Sequence, residues 1–165
     1  MIRRLTLTLV IVFGLFVLPV AARAAIATES FGPRIGVSGD PGQILFGGQF
    51  VLGEVAPRVV FSPSAEIGLG DQQTNVDFNM DFDYRFAIQD SDWAPYVGGG
   101  IGIDFASFDH AGPVRDDSQT NVGANFILGA AVPTRAGSKF FGELRLGLGD
   151  LPSLKLMAGW NFATR

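Results

Sequence analysis

From Asn75 to Ile88 the chain alternates between two kinds of side chain. Val76, Phe78, Met80, Phe82, Tyr84, Phe86 and Ile88 take one set of positions. Asn75, Asp77, Asn79, Asp81, Asp83 and Arg85 take the other. Successive side chains of a strand point to opposite faces, so an extended backbone sorts the two sets completely. A helix at 3.6 residues per turn would mix them around its circumference. The stretch is therefore predicted to be a strand with one oily face and one ionic face.

Weaker copies of the rule recur along the chain. Pro33, Ile35 and Val37 alternate with Arg34 and Gly36. Ile44, Phe46, Gly48, Phe50 and Leu52 alternate with Leu45, Gly47, Gln49 and Val51. Val59, Phe61, Ala65, Ile67 and Leu69 alternate with Arg58, Ser62, Ser64, Glu66 and Gly68. Val97, Gly99, Ile101, Ile103 and Phe105 alternate with Tyr96, Gly98, Gly100, Gly102 and Asp104. Three further runs centre on Phe126, Leu146 and Met157. Gly, Pro, Asp and Ser clusters separate them: Ser38 to Gly42, Gly53 to Pro57, Gly70 to Gln73, Gln89 to Asp92, Ser107 to Thr120, Pro133 to Gly137 and Gly149 to Pro152. These residues tolerate turn geometry. Eight strands this close in sequence favour antiparallel hairpins in an up-and-down order.

The N-terminus has a different character. Arg3 and Arg4 precede the apolar stretch Leu5 to Leu18, Pro19 follows, and Ala22-Arg23-Ala24 is a small-x-small cleavage site. Residues 1–24 are thus expected to be a cleaved secretory signal peptide, and residues 25–165 the exported domain. A second cleavage site, Ala25-Ile26-Ala27, lies three residues on. The apolar stretch is shorter than the ~20 residues a spanning helix needs. Removal of Arg3, Arg4 and Arg23 leaves 9 basic and 16 acidic residues. That balance argues against nucleic acid as a partner. The absence of Cys and the single His remove a disulfide framework, a Cys nucleophile and a multi-histidine zinc site. No cofactor is expected.

Which face is buried decides the function. A soluble barrel puts apolar residues inside; a membrane barrel puts them against lipid and turns polar residues to the lumen. The interior of eight strands is just wide enough for side chains to fill. Phe46, Phe50, Phe61, Phe78, Phe82, Phe86, Phe105, Phe126, Trp160 and Phe162 would overfill it, whereas glycines such as Gly36, Gly47, Gly98, Gly100 and Gly102 fit inside. The expected lumenal charge network is Arg34, Arg58, Arg85, Arg145 and Lys155 with Glu66, Asp77, Asp81, Asp83, Asp104 and Glu143. With both termini in the periplasm, Tyr84, Trp93, Tyr96 and Trp160 fall at one rim, where an aromatic girdle belongs. Closure of the first strand onto the last removes unpaired edges, each polar group of which would cost several kcal/mol in hydrocarbon.

Pro95 to Gly102, Asn121 to Phe126 and the last strand, Lys155-Leu-Met-Ala-Gly-Trp-Asn-Phe162, resemble the small eight-stranded barrels of the bacterial outer membrane, the opacity-like and OmpA/OmpX-like group. The resemblance covers nearly all of residues 25–165. It implies an all-β, up-and-down transmembrane barrel in a Gram-negative outer membrane. Lipid and lipopolysaccharide would be its surroundings, and the barrel-assembly machinery would read a C-terminal aromatic signal. Trp160 and Phe162 stand in that place, followed by Ala163-Thr164-Arg165 rather than by the chain end. The implied role is non-enzymatic: structural, or surface interaction through the Ser107 to Thr120 loop with an extracellular ligand. The alternatives are a narrow, porin-like solute or ion channel and a soluble periplasmic barrel holding an apolar ligand. Some barrels of this size are lipid A deacylases with a strand-borne His followed two residues later by Ser. Here His110 has Gly112 at that place. Asp77, Asp81 and Asp83 would suit a cation or acid–base chemistry, but Arg85 on the same face points to ion pairing. Asp71, Asp116 and Asp117 in outer loops would suit ions bridging lipopolysaccharide phosphates, or plain solvation.

Overall fold

The computed structural model describes residues 28–71, 73–108, 117–134 and 137–164. The expected signal peptide, and Asp109, His110, Gly112 and Asp116, lie outside them. Among the described residues eight strands form: β1 Thr28–Ser38, β2 Gln43–Ala56, β3 Val59–Leu69, β4 Gln73–Arg85, β5 Ala94–Phe108, β6 Asp117–Pro133, β7 Ser138–Gly149 and β8 Leu154–Ala163. Every neighbouring pair is antiparallel, and β1 pairs with β8, so the sheet closes into an up-and-down barrel. The expected fold class is the one observed.

Closure fixes the tilt. A row of register partners runs from Arg34 through Gly47, Glu66, Asp77 and Asp104 to Asn121 on β6. The same row followed the other way passes Gly159 and Phe141 and meets β6 at Ala131. Asn121 and Ala131 are ten residues apart. With strands about 4.8 Å apart rising about 3.3 Å per residue, a stagger of ten over eight strands tilts them by about 40°. At that tilt the 10 residues of β8 rise about 25 Å, the height of a lipid-facing band.

The faces sort as the period of two requires. Phe46, Phe50, Phe78, Phe82, Phe86, Phe105, Phe126, Trp160 and Phe162 are exposed on the outside, while Asp77, Asp81, Glu66 and Arg145 are 1–2% exposed inside. Phe61 also faces out and stacks on Phe82 at 5.0 Å between ring centroids. Among the described residues twenty-eight large apolar side chains stand exposed. Burying each half-exposed side chain would contribute about 1 kcal/mol, so together they forgo roughly 25–30 kcal/mol in water. A domain's whole net stability is about 5–15 kcal/mol. The exterior is built for an apolar surrounding.

Three connections differ from expectation. β2 runs through the expected turn at Gly53 to Ala56, with its register to β3 shifting between Leu52 and Ala56. The turn is Pro57-Arg58, and Arg58 adopts a left-handed φ of 65°. β4 ends at Arg85, short of Ile88. The expected loop Ser107 to Thr120 is partly ladder: Ser107 pairs with Ser118 and Phe105 with Thr120. Pairing wins there because both strands continue their alternation past the turn signals.

Candidate functional site

The lumen is built from cross-strand pairs of one acid or amide and one glycine. Asp83 pairs with Gly98, Asp81 with Gly100 and Asn79 with Gly102. Glu66 pairs with Gly47. A Cβ on Gly100 would lie 2.3 Å from Asp81 Oδ1 and 2.3 Å from the Met80 carbonyl; one on Gly98 would lie 2.1 Å from Asp83 Oδ1. The Gly98, Gly100 and Gly102 positions of β5 are therefore the space into which the β4 side chains lean. Gly99 faces outward and meets nothing nearer than 3.4 Å.

Three buried cations organise the middle of the lumen. Arg34 reaches Glu66 at 3.1 Å and Glu143 at 2.8 Å, and donates to Gln49 Oε1 at 2.9 Å. Arg145 pairs closely with Asp81 and stands 3.7 Å from Glu66 and 4.0 Å from Glu143. Lys155 joins Glu66 at 3.2 Å to Asp77 at 2.9 Å. Apart from Arg145–Glu143, both on β7, each ion pair links strands that are not neighbours, so the lattice ties the walls together across the axis. The cations are over-matched. Among the described residues Arg34, Arg145 and Lys155 face six buried carboxylates, Glu66, Asp77, Asp81, Asp83, Asp104 and Glu143. Asp104 accepts from Asn121 at 3.0 Å, and Asp104 and Asp83 each keep a buried oxygen without a hydrogen bond.

Two expected residues are placed elsewhere. Arg58 is not in the lumen: the two-residue turn carries it out of the strand and leaves it exposed. Tyr96 is not in a girdle. Its hydroxyl donates to Glu143 at 2.8 Å inside the barrel, and its ring covers Gly129, where a Cβ would lie 2.3 Å from Cζ. Arg85 sits at the mouth and pairs with Glu29 at 3.1 Å. Tyr84 packs edge-on against Phe86, Trp160 against Phe140, and Trp93 is exposed just before β5. These three aromatics, with Phe162, lie towards the end where β1 begins and β8 finishes.

The ends of the lumen were not foreseen. At the end away from the start of β1, Leu151 turns inward from the β7–β8 connection onto a glycine cradle. Cβ atoms on Gly102, Gly123 and Gly147 would stand 2.8, 2.8 and 3.2 Å from its side chain. The Gly147 amide donates to the Ser153 carbonyl at 3.2 Å and holds this turn over the lumen. At the other end Phe141 is 1% exposed, with the Arg34 guanidinium carbon 5.8 Å from its ring centroid. Beside it a cavity of about 60 Å³ is lined by Ser62, Asp83, Arg85, Tyr96, Lys139 and Glu143 among others.

The fold and its inside-polar, outside-apolar partition define a closed eight-stranded barrel of the kind that small outer-membrane proteins use. The Neisserial surface protein A shares it at a TM-score of 0.61 with 15% identity, over 83% of this chain and 96% of that one. The N-terminal β-barrel domain of Pseudomonas aeruginosa OprF shares it at 0.60 with 17% identity, over 81% of this chain and 95% of that one. No protein-family model and no curated protein sequence matches the chain.

Proposed function

We propose that the protein is a non-enzymatic barrel of a Gram-negative outer membrane, exported through residues 1–24, with a lumen filled by its own side chains. One observation carries the reading: the ion-pair lattice of Arg34, Arg145 and Lys155 with Glu66, Asp77, Asp81 and Glu143 spans the axis and leaves a plug where a porin has water. The role that suits a plugged barrel is structural anchoring of the membrane, with surface contact through the β5–β6 hairpin to an extracellular ligand. Lipid and lipopolysaccharide cover the phenylalanine wall. Tyr84, Trp93 and Trp160 seat the periplasmic rim, and Trp160 with Phe162 serves the assembly machinery.

Membrane fractionation with gel migration before and after boiling tests this reading. The native barrel is expected in the carbonate-resistant membrane fraction and to migrate differently once boiled. Recovery in the aqueous fraction would replace it with a soluble carrier. The acid surplus favours one second reading, a narrow cation path. Single-channel steps in planar bilayers that reverse towards the cation potential would establish that path against the plugged barrel.

A further inference from the structure

We propose that the free edge of β6 is a docking site for an extended, basic peptide segment, which adds to it as a further strand. The ladder between β5 and β6 runs without a register shift from Ala94–Ala131 to Phe108–Asp117, whereas the ladder between β6 and β7 begins only at Gly123–Gly149. Among the described residues Asp117–Val122 thus has no partner strand on its β7 side. β5 is covered to its end, since Gln73 of β4 pairs with Phe108. The open stretch is about 20 Å long at ~3.3 Å per residue. Alternate residues of a strand turn N–H and C=O to the same side, so about three residues offer a donor and an acceptor there. Ser118, Gln119 and Thr120 are all exposed although they alternate between the two faces, so they stand clear of the lumen and its wall.

Strand edges in water are usually blunted by Lys, Pro or a bulge. Ser118-Gln119-Thr120-Asn121-Val122 carries none of these, so the edge keeps the regular geometry that an incoming strand needs. Charge selects a basic strand. The exposed carboxylates of Asp40, Asp71 and Asp150 stand in the β1–β2, β3–β4 and β7–β8 turns at the same end of the barrel. Among the described residues no cation is exposed there: Arg34, Arg145 and Lys155 are buried in the lumen, and Arg58, Arg85 and Lys139 lie at the other end. Main-chain bonds to β6 supply affinity, and Lys or Arg side chains over the acidic rim supply selectivity. A second copy in the same membrane is a poorer occupant. Two upright barrels side by side tilt their facing strands in opposite senses, about 80° apart. The inference deepens the surface-contact role proposed above and rests on it.

The test uses the whole, unaltered barrel in detergent micelles and a fluorescent peptide of about ten alternating Thr and Lys residues. One control peptide is N-methylated at every amide, which keeps its charge but removes its donors; another carries Glu in place of Lys. Anisotropy is expected to show saturable binding of the Thr-Lys peptide, binding at least about tenfold weaker for the methylated one, and none for the Glu one. Hydrogen exchange read by NMR is expected to slow at alternate amides of Asp117–Val122 and to stay unchanged in the turns at Asp40, Asp71 and Asp150. Equal affinity for the methylated peptide, or no added protection along β6, would reduce the contact to charge attraction and overturn the edge site. Equal affinity for the Glu peptide, or no binding at all, would overturn it too. The two readings fail separately. A barrel that fractionates with membranes but ignores the peptide overturns this inference alone, whereas recovery in the aqueous fraction overturns the anchoring role whatever the peptide does.

Discussion

Replacing Arg145 with Met removes the guanidinium and keeps most of the stem's volume. The side chain is 1% exposed and touches three carboxylates, Asp81, Glu66 and Glu143, the last two at 3.7 and 4.0 Å. At an effective dielectric near 20, a pair at either distance attracts by about 4 kcal/mol before dehydration is counted. Much of that offsets the loss of water when the pair forms. Breaking a buried pair from one side still costs about 3–5 kcal/mol, because the stranded acids stay buried. With a urea slope of about 2 kcal/mol per molar, R145M lowers the unfolding midpoint by about 2 M. Fluorescence of Trp93 and Trp160 in lipid vesicles reads it, with boiled and unboiled gel bands as the second measure. Adding Asp81→Asn should restore about 1–3 kcal/mol, the usual coupling of contacting charges. An R145M barrel within about 1 kcal/mol of the parent would show that water solvates these carboxylates, and the side-chain plug would be refuted.

Three further substitutions probe other layers. Gly100→Val should cost more than about 3 kcal/mol in the same urea titration, since its Cβ meets the Met80 backbone carbonyl at 2.3 Å; Gly99→Ala, facing outward, should stay within about 1 kcal/mol. Met80→Arg, on the outer face of mid-β4, should cost about 2–4 kcal/mol in bilayers; no loss would place this face in water. Leu151→Asp should leave the barrel folded on gels, yet lower its unfolding free energy by about 1–3 kcal/mol through a carboxylate unpaired against three glycines. Unchanged stability would show that the turn does not pack into the lumen.

The alternation of Asn75 to Ile88 was legible because a period of two admits one backbone, and β4 carries it without a break. The barrel's direction was legible because ten rings do not fit inside eight strands. Tyr96 was misplaced for a physical reason. A Tyr near a strand's start suits an interfacial rim, and only the pairing of Tyr96 with Gly129 reveals the gap its ring fills. Its alternation with Val97 carried the signal, which amphipathic character outweighed. Arg58 was misplaced because the turn proved two residues long, so the strand period stops at Val59. Glu29 and Leu151 lay near segment boundaries, where neither period nor turn chemistry assigns a face.

The glycine content and the acidity of this chain are two sides of one construction. Along β4 the lumenal residues are Asn75, Asp77, Asn79, Asp81 and Asp83; along the facing stretch of β5, Gly98, Gly100 and Gly102 meet the last three. An acid leaning across a strand pair needs its partner to lack a side chain, and a glycine in a strand needs something to fill its space. Neither run is stable alone in a closed barrel. Arg145 and Lys155 then reach over from β7 and β8 and gather the leaning acids. Upward of this row Asp77 faces Asp104 rather than a glycine, and at its foot Asp83 lies beyond the reach of the cations. The lattice is thus complete at mid-height and electron-rich towards both ends. That gradient follows from the ten-residue stagger, which winds the acids of β4 past the cations of β7 and β8 along a spiral rather than around a level ring.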